Sequence, residues 1–116
     1  MVQEDKELLF KDLCARLPYG VKVSLHNEIH TLLGYCDGYI MLTANVPTGQ
    51  QTNIVNIKPY LRLMSSMTEE EKTELFQLMG NGTDIQRIDF YLSHHFDFRC
   101  LIPMGLALEA PEGMYK

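Results

Sequence analysis

The sequence predicts an α+β fold: a small antiparallel sheet of about four strands, with three helices packed on one face. Apolar residues recur with a helical period near the amino terminus and again after residue 67, whereas the region after Gly20 alternates as strands do. An Asp37-Gly38 pair separates two strand-like runs, and this pair is a strong hairpin signal because a type I′ turn needs positive φ at both positions. Strands grouped between helices favour an antiparallel sheet over parallel βαβ units.

The first predicted helix covers residues 4 to 17. Its apolar stripe, spaced i, i+3, i+4, i+7, consists of Phe10, Leu13, Cys14 and Leu17. Acidic residues crowd the first turn and Arg16 lies in the last turn, as the helix dipole favours. Pro18 and Gly20 are expected to end the helix.

The predicted sheet begins with residues 21 to 25 and continues, after a turn near His26, into the Asp37-Gly38 hairpin. The predicted register pairs Cys36 with Tyr39, Tyr35 with Ile40, Leu33 with Leu42, Thr31 with Ala44, and Ile29 with Val46. One hairpin face is apolar and is expected to pack beneath the helices through Ile29, Leu33, Tyr35, Ile40, Leu42 and Val46. The opposite face is mixed, and its apolar members form a candidate interaction face: Leu32, Tyr39 and Met41. A fourth strand, residues 52 to 57, should end before Pro59, which cannot donate to a ladder.

Two capping boxes, at Thr68 with Glu71 and at Thr83 with Gln86, predict the starts of two further helices. The first should end at Gly80 and bury Leu75, Phe76 and Met79. The second should run to about His95 and bury Ile85, Ile88 and Leu92, with Phe96 just beyond its end. The apolar residues 101 to 108, interrupted by proline and glycine, are expected to cover the core as a strand or hook.

Composition narrows the classes of function. The chain has 116 residues, one domain (1–116) by the length prior, and Lys+Arg 10 against Asp+Glu 15 gives a net charge of −5. Nucleic-acid binding is disfavoured, because it would need a basic patch built from Lys22, Lys58, Arg62, Arg87 and Arg99. No apolar stretch has the length of a membrane span. The acidic start lacks a signal-peptide layout, and three cysteines without a CxxC spacing predict reduced thiols, so a cytoplasmic location is expected.

The stretch YLSHHFDFRC holds the candidate catalytic residues. His94 and Asp97 could meet if the helix frays, giving an oriented general base, and Cys100 after Arg99 is a candidate nucleophile. The alternative interpretation is a helix end, where the two adjacent histidines complement exposed carbonyls. No metal site is predicted, because chelation from a helix needs ligands spaced i, i+4 and neither histidine has one. No cofactor motif is present; Gly80-Asn81-Gly82 lacks the lysine and preceding strand of a phosphate loop.

Three phrases, KDLCARLPYGVKV, IKPYLRLMSSMTEEEK and HHFDFRCLIPMGLALEAPEGMY, resemble a family of small uncharacterised proteins of gut Bacteroides species, often encoded near phage or mobile-element genes. The resemblance covers about the first quarter and the last half of the chain and implies no known activity. It implies an anaerobic bacterial cytosol and an accessory role for phage or mobile DNA. The family often has glycine where Cys100 stands, which weakens a nucleophilic role for that cysteine.

Two functional hypotheses follow from the sequence. The first is a small, acidic, non-enzymatic protein that binds another protein or a second copy of itself, without a cofactor. The second is a small hydrolase-like enzyme that uses His94 with Asp97, or Cys100. The position of His94 relative to Asp97 discriminates between them.

Overall fold

A computed structural model describes residues 3–25, 28–36, 39–42, 50–52 and 57–115. Three α-helices and six strands lie in these ranges, with short 3-10 turns at Leu17–Tyr19 and Met64–Ser66. In chain order the elements are α1 Gln3–Arg16, β1 Lys22–Leu25, β2 Glu28–Cys36, β3 Tyr39–Leu42, β4 Gln50–Thr52, β5 Ile57–Leu61, α2 Glu69–Asn81, α3 Asp84–Ser93 and β6 Leu108–Glu109. No helix in the described ranges is long and apolar enough to cross a membrane.

The sheet has the strand order β4-β3-β2-β1-β5-β6. The α+β class is confirmed, but the sheet has more strands than the four predicted, and its last pair, β5 with β6, is parallel. Two differences account for the extra strands. The predicted strand over residues 52 to 57 is replaced by β4 and β5, which flank residues outside the described ranges, and the carboxyl-terminal hook adds β6 beside β5.

Pro59 lies inside β5 rather than beyond the end of a strand. It is the register partner of Val23 in β1, while β6 pairs only with Tyr60 and Leu61. At Pro59 the strand therefore has a paired neighbour on one side only, an edge-like position at which a missing N–H is tolerated.

The β2–β3 register begins as predicted and then shifts. Cys36 pairs with Tyr39 and Tyr35 with Ile40, but a bulge between Leu32 and Gly34 places Leu32, and not Leu33, opposite Leu42. An extra residue in one strand reverses which face each earlier side chain occupies.

This shift corrects two predictions about the faces of the hairpin. Leu32, assigned to the free interaction face, is 3% exposed and belongs to the core, whereas Ile29, assigned to the packed face, is 55% exposed. The side chains of Leu33, Tyr35, Ile40 and Leu42, and those of the other two interaction-face residues, Tyr39 and Met41, lie outside the described part of the structure. So do the turns at His26 and Asp37-Gly38, and residues Ala44 and Val46.

The core joins α1, the central strands and the hook before β6. Its buried members are Leu9, Leu13, Val21, Val23, Leu25, Leu32, Ile57, Leu61, Leu101, Leu106 and Ala107. Helix α1 turns a different face inward than predicted: Phe10 is exposed, and the buried residues are Leu9, Asp12, Leu13 and Arg16. Periodicity of apolar residues misplaced this face because two charged residues occupy inward positions, where they form an ion pair with a 2.7 Å separation.

Both predicted capping boxes are present, at Thr68 with Glu71 and at Thr83 with Gln86. Helix α2 does not stop at Gly80; it continues through Asn81, and the Gly82 amide donates to the Leu78 carbonyl at 2.7 Å. A Cβ at position 82 would lie 2.6 Å from that carbonyl oxygen, so the helix ends where only glycine fits.

The predicted inner stripes of α2 and α3 are largely uncovered. Phe76 and Met79 are 78% and 65% exposed, and Ile85 and Ile88 are 73% and 42% exposed. Glu71 is the buried residue of α2. Only the end of α3 packs as predicted: Leu92 is buried, and so is Phe96 just beyond the helix.

Candidate functional site

Arg62, just after β5, forms a two-point ion pair with Glu71 near the start of α2. Its Nη1 donates to Glu71 Oε2 and its Nη2 to Glu71 Oε1, each at 2.7 Å. The guanidinium carbon lies 4.3 Å from the centre of the Phe96 ring, a distance typical of cation–π contact. The Arg62 backbone is fixed as well, because its amide donates to the His95 carbonyl at 2.7 Å and its carbonyl accepts from the Asp97 amide at 2.8 Å.

Glu71 serves the helix start and the ion pair together. Its Oε1 accepts the Thr68 amide at 2.8 Å, which completes the capping box. The hydrogen bonds from Arg62 lower the pKa of Glu71 to about 2, against an opposing effect of burial. The carboxylate therefore stays charged and ties α2 to the segment after β5.

His94 follows α3 as its C-cap and turns toward this carboxylate. Its Nδ1 lies 3.1 Å from Glu71 Oε2, and its Nε2 lies 3.8 Å from Glu74 Oε2. The imidazole also packs on Phe90, with the ring centres 4.6 Å apart. The helix-end interpretation of this histidine matches its capping position, but its contacts are with side chains of α2.

Asp97 does not meet His94. Its two carboxylate oxygens accept the backbone amides of Leu101 and Ile102, at 2.8 and 2.9 Å, and the residue is buried. Asp97 thereby fixes the turn that starts the carboxyl-terminal hook. The predicted pair of His94 with Asp97 is not formed: the carboxylate oxygens of Asp97 are engaged by the turn, and His94 contacts Glu71 instead.

Cys100 is exposed and has a φ of 60°. This is the left-handed region that favours glycine, so the position is glycine-like. The neighbouring Arg99 is engaged elsewhere: its Nε donates to Asp12 Oδ1 at 3.0 Å, and its guanidinium lies over the Phe98 ring. Burial raises the pKa of the Cys14 thiol in α1. In the part of the chain that the structure describes, no group of three or more His, Cys, Asp or Glu side chains is arranged to hold a metal ion.

His95 and Tyr115 form a stacked pair beside the ion-pair cluster. His95 has a φ of 62°, and its ring centre lies 3.8 Å from that of Tyr115. The Tyr115 hydroxyl accepts the Lys22 amide at 2.8 Å and donates to the Tyr60 carbonyl at 2.7 Å. Burial lowers the pKa of His95 to about 4 and raises that of Tyr115 to about 12, so both rings are neutral at pH 7.

Two adjoining clefts, of about 710 and 510 Å³, share Arg62, Glu71, His94 and Tyr115 in their walls. The lining of the larger cleft includes five glutamates: Glu71 and, beyond the ion pair, Glu70, Glu74, Glu109 and Glu112. The charged atoms of Arg62 and Glu71 bond to each other across the shared wall. This arrangement holds α2, α3 and the carboxyl-terminal segment together.

Helices α2 and α3 form an antiparallel hairpin, shown by contacts at both of its ends. His94 at the end of α3 meets Glu71 at the start of α2, while Arg87 near the start of α3 donates to the carbonyls of Leu78 and Gly82 at 3.1 and 3.2 Å. The closed end of the hairpin, near Gly82, carries the exposed apolar side chains.

These side chains fall in two pairs, one on each helix. Helical residues advance by about 100°, so Phe76 and Met79 lie about 60° apart around α2. Ile85 and Ile88 likewise lie about 60° apart around α3. We call Phe76, Met79, Ile85 and Ile88 the tip surface.

Acidic side chains border the tip surface. The hairpin from Glu69 to Ser93 contains six acidic and two basic residues. Glu69 and Asp84 are 92% and 88% exposed, and Asp89 is exposed as well. Lys72 pairs with Glu69 and Arg87 with Asp84, and the six acidic and two basic residues together give the hairpin a net charge of −4.

Comparison of the chain with protein-family models, with curated proteins and with solved structures gives no significant match. The resemblance to a gut Bacteroides family therefore stays a prediction. Three of the five residues that a basic patch would need are ion-paired, namely Arg62, Arg87 and Arg99.

Sequence reasoning missed the Arg62–Glu71 pair and the tip surface. The signal for the pair was present but incomplete: the capping box gave Glu71 a role, and no local pattern points from it to an arginine nine residues earlier. The tip surface was read as core, because its periodicity is that of a buried helix face.

Proposed function

We propose that this chain is a small, acidic, non-enzymatic interaction protein that binds another protein through the tip surface of the α2–α3 hairpin. One observation carries the proposal: four large apolar side chains near the closed end of the hairpin are between 42% and 78% exposed. Clustered apolar exposure of this kind is typical of binding sites, whereas single exposed apolar residues are ordinary.

The amphipathic pattern of the hairpin supports this proposal independently of the exposure. Both helices repeat apolar residues at i, i+3 spacing, as helices that bury a face do. In the part of the chain that the structure describes, these faces stay open at the hairpin tip, so a partner is the natural cover. The proposed face differs from the one predicted on the sheet, where Leu32 is buried.

The enzyme alternative has less support. Asp97 uses both carboxylate oxygens in a turn, Cys100 stands at a glycine-like position, and His94 contacts Glu71, whose own charge is held by Arg62. As the setting of the interaction we propose the cytoplasm of a gut Bacteroides species, with an accessory role for phage or mobile DNA, on the strength of the sequence resemblance and of three cysteines without a CxxC spacing.

Photo-crosslinking in that cytosol tests the proposal. A photoreactive amino acid at position 76 should capture one protein in stoichiometric yield, identified by mass spectrometry. The matched control carries the same group at position 29, since Ile29 is a comparably exposed apolar residue on β2. Capture should be lost in an Ile85→Asp background and should be absent from position 29. Equal capture at both positions, or capture that survives Ile85→Asp, would rule out the tip surface.

A further inference from the structure

The last described residues, 108–115, form a strap that is attached to the rest of the chain at its two ends. At its start, β6 pairs with β5, and the Ala110 amide donates to the Leu61 carbonyl at 2.7 Å. The middle of the strap, residues 111–113, is exposed. At its far end Tyr115 is bound through both its ring and its hydroxyl. Tyr115 is therefore the contact whose loss would free that end.

The Tyr115 hydroxyl is inserted between β1 and β5. The antiparallel register pairs Val23 with Pro59, so the next position of the ladder would join Lys22 directly to Tyr60. Instead the hydroxyl accepts the Lys22 amide at 2.8 Å and donates to the Tyr60 carbonyl at 2.7 Å. The hydroxyl thus takes the place of a backbone hydrogen bond, and protection of the Lys22 amide depends on the strap being in place.

His95 forms the other half of this anchor. Its ring lies on the Tyr115 ring, with the centres 3.8 Å apart and the planes at 17°. Among the described residues, the buried Nδ1 of His95 has no hydrogen-bond partner. Protonation would place a charge on a covered ring whose buried N–H lacks an acceptor, which is costly. The closed strap and a protonated His95 therefore oppose each other.

The groups around His95 add to this cost. Cationic or protonatable side chains face it from α1, β1, the segment after β5 and the end of α3, namely Arg16, Lys22, Arg62 and His94. Glu71 of α2 lines the same cleft, but its carboxylate is held by Arg62. Burial, together with the four surrounding groups, lowers the pKa of His95 to about 4. Exposure of the ring to water would return the pKa toward its ordinary value of 6.5.

We infer that the strap is an acid-sensitive latch: uptake of a proton by His95 releases Tyr115 and frees the far end of the strap. Because the closed strap binds this proton more weakly than the open strap does, linkage requires that acid favour the open strap. Tyr115 forms part of the wall of both clefts beside Arg62, so its release opens them to solvent. This inference is independent of the tip surface and of the proposed function.

Hydrogen exchange of single backbone amides, followed by NMR on the full-length chain, tests the latch. The Lys22 amide follows the strap, whereas the Leu32 amide, which donates to the Val21 carbonyl at 2.9 Å, follows the sheet. In dilute urea, exchange at Lys22 should be less protected than at Leu32 and should not change with urea, as expected for local opening. After correction for the intrinsic exchange rate, protection at Lys22 should fall at least about tenfold between pH 6.5 and 4.5.

The two adjacent histidines provide a matched pair of variants. His95→Asn should remove the pH dependence of protection at Lys22, because asparagine does not titrate in this range and tolerates a positive φ. His94→Asn, which changes a neighbour that lines the same cleft, should leave the pH dependence in place. Equal effects of the two substitutions would overturn the assignment of the latch to His95.

Two wild-type results would overturn the latch without any variant. If the Lys22 and Leu32 amides exchange with the same protection and the same dependence on urea, the strap opens only when the whole chain unfolds. If protection at Lys22 is constant between pH 6.5 and 4.5, proton uptake by His95 does not release Tyr115. Both results are decisive even if His95→Asn fails to fold.

Discussion

Arg62 and Glu71 face each other through two parallel hydrogen bonds of 2.7 Å, and through them the end of a strand is joined to the first turn of a helix. Glu71 also closes its own capping box, and His94 lies 3.1 Å from the same carboxylate. One side chain therefore serves three connections, which makes it the point at which the hairpin is most sensitive to substitution.

Glu71→Ala should lower the free energy of unfolding by about 2 to 3 kcal/mol, because it removes the carboxylate half of the capping box and leaves the Arg62 charge without its carboxylate partner. Urea denaturation at pH 7 measures this change. The neighbouring Glu70→Ala is the control, since Glu70 is exposed and should change stability by less than about 0.5 kcal/mol. A similar loss in both variants would show that the ion pair contributes nothing particular.

Acid should weaken the fold through Glu71. Its pKa is about 2 in the folded chain and 4.5 ordinarily, so its contribution is fully present above pH 4.5 and is lost as the pH falls toward 2. Urea titrations between pH 5 and 2 should show stability declining in the wild type and declining less steeply in Glu71→Gln, which cannot titrate. Parallel pH profiles for the two proteins would contradict the depressed pKa.

His95 should produce a separate loss of stability at milder pH. Burial lowers its pKa from 6.5 to about 4, so below pH 6.5 the unfolded chain takes up a proton that the folded chain does not. Stability is therefore expected to fall between pH 6.5 and about 4 and to gain no further slope from this group below that. His95→Asn, a residue that tolerates a positive φ, should flatten this window and leave the Glu71 window unchanged. Unfolding curves collected at pH 7, 6, 5 and 4 decide the matter.

The bulge in β2 predicts opposite sensitivities for two nearby residues. Leu32→Ala should cost about 2 to 5 kcal/mol, as is usual for a buried leucine, and Ile29→Ala less than about 0.5 kcal/mol. Thermal or chemical unfolding of the two variants gives the comparison directly. A larger loss for Ile29→Ala than for Leu32→Ala would contradict the bulge. It would support an uninterrupted register, in which Ile29 packs inward and Leu32 points outward.

Cys100→Gly should stabilise the chain by about 0.5 to 1 kcal/mol, because glycine removes the left-handed strain at φ 60°. The larger backbone entropy of glycine in the unfolded state offsets only part of this gain. Cys14→Gly, inside helix α1, should do the opposite by about 1 kcal/mol. Melting temperatures of the two variants measured side by side provide the check. A destabilised Cys100→Gly would show that the thiol makes a contact worth more than the strain.

The features that the sequence predicts well are those decided within one turn of the chain. Both capping boxes need only residues three apart, and the start of the hairpin register needs only the Asp37-Gly38 pair. The bulge before Gly34 has no comparable local signal, because either register pairs an apolar residue with Leu42. One shifted residue then reversed the faces assigned to Ile29 and Leu32.

Long-range polar contacts were beyond the reach of periodicity. Arg16 is fully buried, and besides its ion pair with Asp12 it donates to the Phe96 carbonyl, 80 residues along the chain, at 2.7 Å. A charged residue is ordinarily placed on the solvent side of a helix, so the inward face of α1 was misassigned. Of the candidate site residues, His94 does line a cleft, but only tertiary structure identifies Glu71 as its neighbour and commits Asp97 to a turn.

The close approach at Gly82 bears on how the hairpin would meet a partner. Its amide bonds to Leu78, any side chain there would collide with the Leu78 carbonyl, and Arg87 bonds to both residues. The angle between the two helices is thus held in the unbound chain. Little backbone entropy would remain to be lost on association, so the cost of ordering this surface should come mainly from its exposed side chains.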